Sequence, residues 1–311
     1  MRIGIVTPAF NVAPYIGDAI RSVLAQTHQA WTMTVVDDGS IDQTAAIAAS
    51  FDDPRVRLIR QRNAGVSAAR NTGLAATNAE TVVFLDADDW LSPNALFILA
   101  ATLRADPGAT AAVGPYQRVL AGKPDRGSPV SRPRSGDLLE ALLVRNLFAN
   151  GGHLLIRRHV LEAAGPFNRS LSYGEDWEYW TRLARFGTFA AAHVRAPLLF
   201  VRERHDSAYR AMAVRPEAFV PCMNAIFAAP ELKSNFSAAT LAQLRRRAEA
   251  ENNWVVGREL IRHGRVTEGR QFLRRSVVAA PGLKRLALLT SVSLPVLRIG
   301  PFRSYPMPGT V

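Results

Sequence analysis

Four short β-branched runs, each followed by a helical pattern or a turn, constrain this chain more than any other feature. Residues 3–8 (IGIVTP), 33–38 (MTVVDD), 56–60 (VRLIR) and 81–87 (TVVFLDA) read as buried parallel strands. Between them the apolar period changes to that of a helix. Ile16, Ile20, Val23 and Leu24 fall on one helical face, and Asn11 is placed to cap it. Ser40 and Gln43 have capping-box spacing before TAAIAASF, and VSAARNTGLAA (66–76) leads into the fourth run. This alternation predicts a doubly wound α/β sheet flanked by helices.

Beyond the fourth strand and its helix the organisation changes. Residues 121–136 (AGKPDRGSPVSRPRSG) carry turn chemistry throughout and are expected to be a loop, either a flap or an insertion. A helix (DLLEALLVRN), a strand (GHLLIRR), a second helix (EDWEYWTRLARFG) and a second strand (APLLFVRER) follow. After that, helices are expected over 216–229, 237–263, 265–279 and 282–290. The division is therefore a domain over 1–210, with halves of about 1–120 and 136–210, and a basic helical region over 211–311.

Charge is unevenly spread. The chain carries +12 over 311 residues, yet residues 241–303 alone hold thirteen Arg and Lys against four Glu. Those basic helices suit a packed extension with a solvated Arg face, or peripheral association with an anionic membrane. They have few aromatics and no recognised module, so a nucleic-acid partner is not expected. Cys222 is alone, which excludes an intramolecular disulfide. No apolar run approaches the ~20 residues of a membrane span. The opening MRIGIVTPAF leaves no room for a signal peptide. The expected location is cytoplasmic, at most peripheral on the inner face of the membrane.

In open α/β sheets, ligands bind beyond the carboxyl ends of the strands. Thr7, Phe10 and Asn11 follow the first strand, Asp37 and Asp38 close the second, and Asp86, Asp88 and Asp89 close the fourth. Acids crowded in this way repel one another unless a cation lies between them. Hard carboxylate oxygens suit Mg²⁺ or Mn²⁺ together with a diphosphate. The plainer roles are a cap by Asp88 or Asp89 for a helix near Ser92–Pro93, and support by Asp37 for the turn before Ser40.

TPAFN, VVDDGSIDQT, NAGVSAARNTGL, FLDADDW and GEDWEYWTRLA stand in an order and spacing that resembles family 2 glycosyltransferases of the GT-A fold. The resemblance covers residues 2 to about 205. It implies a Rossmann-like, mixed but mainly parallel sheet flanked by helices, here with a C-terminal helical extension. It also implies metal-dependent, inverting transfer of one sugar from a nucleotide sugar, a UDP-sugar by preference. The acceptor would be a saccharide or lipid-linked saccharide, in cell-surface polysaccharide or glycolipid synthesis. No Gln-x-x-Arg-Trp element is present, which argues against a processive synthase.

Roles carry over residue by residue. Thr7 and Phe10, with Asn11 next to them, would border the nucleotide base, and Asp38 would bond its edge. Arg70 would lie near the phosphates or the sugar, and Asp86 at the ribose and diphosphate. Asp88 would be the main metal ligand, His205 in RERHDSAY would complete the metal site, and Asp89 would give local support. Asp176 would be the catalytic base, with Glu175 beside it. Phe10 stands where the family often has Tyr. The same residues have blander readings: Glu175 and Asp176 as dipole-favoured acids opening a helix, Arg70 as an acid's partner, Trp177 and Trp180 as core or acceptor wall, and Arg202, Arg204 and Asp206 as a solvated loop. A sugar nucleotidyltransferase would need an N-terminal Gly-rich phosphate loop, which TPAFNVAPYIG is not. A non-catalytic binding module has no need of both the DAD and the GED acids.

Overall fold

Strand β1 (Ile3–Ala9) is buried at every position, as its unbroken apolar run requires. It pairs in parallel with β2 (Trp31–Asp37), and β2 pairs in parallel with β3 (Val56–Arg60). On its other side β1 pairs in parallel with β4 (Thr81–Phe84). The computed structural model describes residues 1–120, 123–204 and 214–293. These belong to two compact units, Met1–Leu139 with Asn146–Arg204, and Glu140–Arg145 with the chain after Arg204.

The first unit holds two sheets. The larger has seven strands in the order β10, β6, β9, β4, β1, β2, β3, where β6 is Ala111–Val113, β9 is Leu154–Arg157 and β10 is Phe189–Ala191. Only β9 runs antiparallel to its neighbours. The smaller has four strands in the order β5, β11, β7, β8, with β5 Trp90–Leu91, β7 Tyr116–Leu120, β8 Lys123–Gly127 and β11 Leu199–Glu203. Helices α1 (Ala13–Leu24), α2 (Thr44–Ala49), α3 (Val66–Ala75), α4 (Ala95–Ala105), α6 (Arg158–Ala164) and α7 (Glu175–Leu183) connect the strands, whereas α5 (Leu139–Val144) belongs, after its first residue, to the second unit. This is the expected mixed, mainly parallel α/β architecture.

One core cluster joins Ile3 and Ile5 of β1 to Ile16, Ile20 and Val23 of α1 and to Leu96 and Leu99 of α4. Burying each such side chain contributes roughly 1.5–3 kcal/mol, which fixes both helices against the sheet. Helix α3 sits closer still. A Cβ on its Gly73 would come 2.3 Å from Val6 Cγ1, so only glycine lets the helix backbone lie on β1. That contact brings Arg70, one turn earlier, toward the end of the strand.

Several local expectations are corrected. Asn11 does not cap α1; it adopts φ 51°, and its side-chain oxygen accepts from Ile41 N. The loop after β2 satisfies that end of the helix instead. Ser40, Thr44 and Asp42 accept from the N–H groups of Asn11, Val12 and Ala13. Ser40 is thus spent on α1, and no capping box forms at α2. Residues 123–127 within the expected loop form β8, paired antiparallel to β7. Strand β3 is a half-exposed edge strand, not a buried one.

The second unit is helical, with α8 (Val220–Ala228), α9 (Leu232–Asn235), α10 (Ala238–Arg262), α11 (Val266–Ala279) and α12 (Leu283–Ser293). Helices α10 and α11 cross where Gly257 meets Gly269; a Cβ on Gly269 would lie 2.6 Å from Gly257 O. Ser276 Oγ also donates to Ala250 O at 2.7 Å. Arginines of this unit pair with acids, Arg247 with Glu140 and Arg285 with Glu251. Among the described residues, no helix is long and apolar enough to cross a membrane.

Candidate active site

Parallel pairing puts the ends of β1, β2 and β4 on one rim. Thr7 is fully buried in β1 and lies behind that rim, while Phe10, 47% exposed, and Asn11 stand on it. Asp37 supports the turn as anticipated, accepting from Ser40 N and pairing with Arg60. The buried Asp38 holds the lead into α3. Its Oδ1 accepts from Gln61 Nε2 and Ala64 N at 2.7 and 3.0 Å, and its Oδ2 accepts from Gly65 N at 2.8 Å. A base edge would have to share those oxygens.

The three crowded aspartates are separated by their partners. Arg70 Nη2 donates to Asp86 Oδ1 at 3.0 Å, and Arg204 Nη1 donates to Asp88 Oδ2 at 3.1 Å. Asp89 is buried and caps no helix. It accepts from Asn150 Nδ2 at 2.5 Å and from Arg202 N at 2.8 Å, which is local support of another kind. Burial raises Asp88 above the usual carboxylate range, with Asp86 adding to the rise and Arg204 opposing it. Burial likewise raises Asp89, reinforced by Asp88 and Asp86. The side chains of Asp86 and Asp88 are each 27% exposed, so both remain reachable.

Arg70 ties this rim to the start of α7. Its Nη1 donates to Glu175 Oε1 at 2.9 Å. Burial alone would lower the Arg70 pKa, but Asp86, Glu175 and Asp176 more than offset it, so the guanidinium stays charged. Among the described residues, no ion pair joins Asp176 directly. Its Oδ2 accepts from Asn146 Nδ2 at 3.0 Å and its Oδ1 from Trp177 N at 2.6 Å. Burial first, and the neighbouring Glu175 second, push its pKa up to about 7. An aromatic floor fixes α7 beneath these acids: Phe167 stacks on Tyr179 at 3.8 Å, and Trp180 packs among Phe84, Phe148 and Phe167. Trp177 and Trp180 are both buried, the core reading of the two.

The donor chemistry at Asp88 fits a hard divalent cation, because positive charge at its oxygens would reverse the cost of burial beside Asp86. Among the described residues, no group of three or more His, Cys, Asp or Glu is arranged to hold a metal. His205 lies outside the described residues. Sequence reasoning missed Asn146 and Asn150, and it read Arg202 and Arg204 as a solvated loop. Their side chains are only 13% and 14% exposed and both are in ion pairs. The alternation along β11 was the available signal, since residues two apart share a strand face.

A mainly parallel sheet with acids gathered on one rim, coupled to a second acid pair at a helix start, is the architecture of GT-A glycosyltransferases. The sequence profile of Glycosyl transferase family 2 matches residues 4–165, just over half of the chain, and the protein belongs to that family. The succinoglycan biosynthesis protein ExoO of Rhizobium meliloti is 45% identical over 92 residues, which is 29% of this chain and 26% of ExoO. The crystal structure of S. aureus TarS 1–349 in complex with UDP superposes with a TM-score of 0.60 at 19% identity, covering 94% of this chain and 87% of that one. The mannosyltransferase PcManGT of Pyrobaculum calidifontis, in complex with GDP-Man and Mn²⁺, gives 0.54 at 22% identity, covering 94% and 79%. The chain spans between 13% and 62% of the length of the first curated relatives it matches.

Proposed function

We propose that this chain is an inverting glycosyltransferase that moves one sugar from a nucleotide sugar to a hydroxyl of a saccharide acceptor. The observation that carries the reading is Asp176. It is a half-buried carboxylate with a pKa near 7, next to Glu175, which Arg70 ties to Asp86 at the end of β4. A carboxylate at its usual pKa is a weak base at neutral pH, whereas one poised near 7 can accept a proton efficiently.

In a single displacement, the acceptor oxygen forms a bond to the anomeric carbon as the bond from that carbon to the diphosphate breaks. The acceptor proton passes to Asp176, and the nucleoside diphosphate leaves. Positioned base catalysis of this kind contributes typically ~10²–10⁴-fold. Arg70 holds Glu175 and Asp86 in one arrangement and keeps Asp176 close to positive charge. Asp88 and Asp86 are the residues that would hold a divalent cation, which when bound neutralises charge on the leaving diphosphate. Phe10 and Asn11, with Asp38 behind them, offer the wall for a nucleotide base.

The structures with UDP and with GDP-Man and Mn²⁺ support a nucleotide-sugar donor, with UDP the first choice. The likeness to ExoO supports an acceptor in polysaccharide synthesis, as a free or lipid-linked saccharide. The test is to titrate nucleotide sugars by calorimetry with Mn²⁺ and assay transfer for each binder, in the wild type and in Asp176→Asn. Transfer lost with UDP binding intact is the expected result. Retained transfer in the variant, or no turnover of any bound donor by the wild type, would overturn the reading.

A further inference from the structure

We propose that an open cleft between α1 and the β5–β11 edge of the small sheet binds a sugar ring. Its volume is about 470 Å³, within the span of small-ligand sites. Asp18, Arg21 and Ser22 line one wall, and Trp90, Phe200 and Arg202 line the other. None of these side chains belongs to the Asp86–Arg70–Glu175 bridge or touches Asp176.

The aromatic wall is built by register. Phe200 and Trp90 are partners across the antiparallel pair, so their side chains leave the same face of the sheet. Their ring centroids are 5.3 Å apart and their planes 12° from parallel. Cross-strand packing accounts for the stack, but both rings stay partly exposed where they border the cleft. The exposed parts of these rings give the cleft an apolar wall for the C–H face of a pyranose, whose hydroxyls then stay free for polar partners.

The polar wall serves those hydroxyls. Asp18 accepts from Arg21 Nη2 and from Arg202 Nη2, each at 2.8 Å. The side chains of Asp18 and Arg21 are 43% and 64% exposed, so an acceptor and a donor face the opening together. A phosphate would have to compete with Asp18 for both guanidiniums, whereas an uncharged hydroxyl adds to the network without breaking it. That favours a sugar over an anion.

Arg202 also links the cleft to the acid-rich turn. Its Nε donates to Asp88 O at 2.9 Å, and its guanidinium lies 4.7 Å from the Trp90 ring centroid and 4.9 Å from that of Tyr15. Arg204 lies 4.8 Å from the same Tyr15 ring and holds the Asp88 carboxylate. A saccharide in the cleft therefore rests on the framework that positions Asp88. Its use as a second hold on a saccharide acceptor rests on the transferase reading. The choice of ligand rests on the cleft alone.

The full chain should be titrated calorimetrically, without nucleotide, with neutral tetrasaccharides of glucose, mannose, galactose and N-acetylglucosamine. At least one should bind. Trp90→Ala should weaken that binding by about tenfold, and Arg21→Ala at the exposed rim should weaken it severalfold while leaving UDP affinity unchanged. Binding without nucleotide needs no transfer, so a failed transferase reading would leave this result standing. If Trp90→Ala does not fold, Arg21→Ala decides. Absence of binding by all four saccharides overturns the proposal, as does binding that survives both substitutions, or displacement of the saccharide by UDP or inorganic phosphate.

Discussion

The acids at the end of β4 and those at the start of α7 are crowded to a similar degree, yet they are held differently. At β4 the two reachable acids each have a guanidinium, Arg70 on Asp86 and Arg204 on Asp88, and the third, Asp89, is buried on amide donors. At the start of α7 Arg70 goes to Glu175, and among the described residues Asp176 receives N–H groups, from Asn146 and Trp177. Asp89 and Asp176 are thus both raised by burial, but only Asp176 remains partly open to solvent. Acidity is shifted in both places, and access decides which shift is usable for proton transfer.

The largest effect that would break this comparison is Asp176→Asn. Transfer should fall by ~10²–10⁴ if the carboxylate is the base, with UDP binding unchanged by calorimetry. The same variant tests the shift itself. A carboxyl whose folded pKa is raised contributes stability that is fully present below its unfolded value, near 3.8, and is lost as pH rises through about 7. Asp176→Asn should therefore melt higher than wild type above pH 7, with the advantage fading toward acid. Equal melting temperatures across that window would show that the group is not shifted.

Next in size is Arg70→Ala. The guanidinium is 5% exposed and bridges two carboxylates, so its loss leaves acids facing one another and should cost about 3–5 kcal/mol in urea unfolding. A change under about 1 kcal/mol would mean that solvent reaches the bridge and that the two acid groups are independent. Gly73→Ala should cost about 1–3 kcal/mol, because stiff Val6 cannot give way; a wild-type melting temperature would show that α3 lifts off β1 freely.

Smaller changes sharpen the contrast. Asn146→Ala removes a hydrogen bond that favours ionised Asp176. The acidic limb of the pH profile for kcat/KM should move to higher pH, by up to about one unit. A limb that stays in place would assign it to another group. Arg204→Ala frees Asp88 of its ion pair, and Mn²⁺ should then bind severalfold tighter in the absence of nucleotide, read by calorimetry. Unchanged Mn²⁺ affinity would separate Arg204 from the cation's place.

Much of this frame was legible beforehand because buried parallel strands need unbroken apolar runs, and such runs in the first hundred residues are few. Strands β1, β2 and β4 fall within or almost within the expected runs, and the GED element does open a helix. The caps were misread for one reason. Asn11 and Ser40 each had a plausible local partner, but the N–H groups at the start of α1 found the loop after β2, a neighbour only in space. Strand β8 was hidden by turn-forming residues that pairing with β7 overrode.

The sequence alone determined the alternation of strands and helices, the rim where polar residues gather, and the acids that stand there, because each depends on short-range pattern. Tertiary structure decided which acid meets which cation. Arg70 reaches Glu175 across 105 positions, Arg204 reaches Asp88 across 116, and Asn146 reaches Asp176 across 30. Charge pairing falls off with distance in space and not along the chain. Only the folded chain could therefore give Arg70 to Glu175 and Asn146 to Asp176.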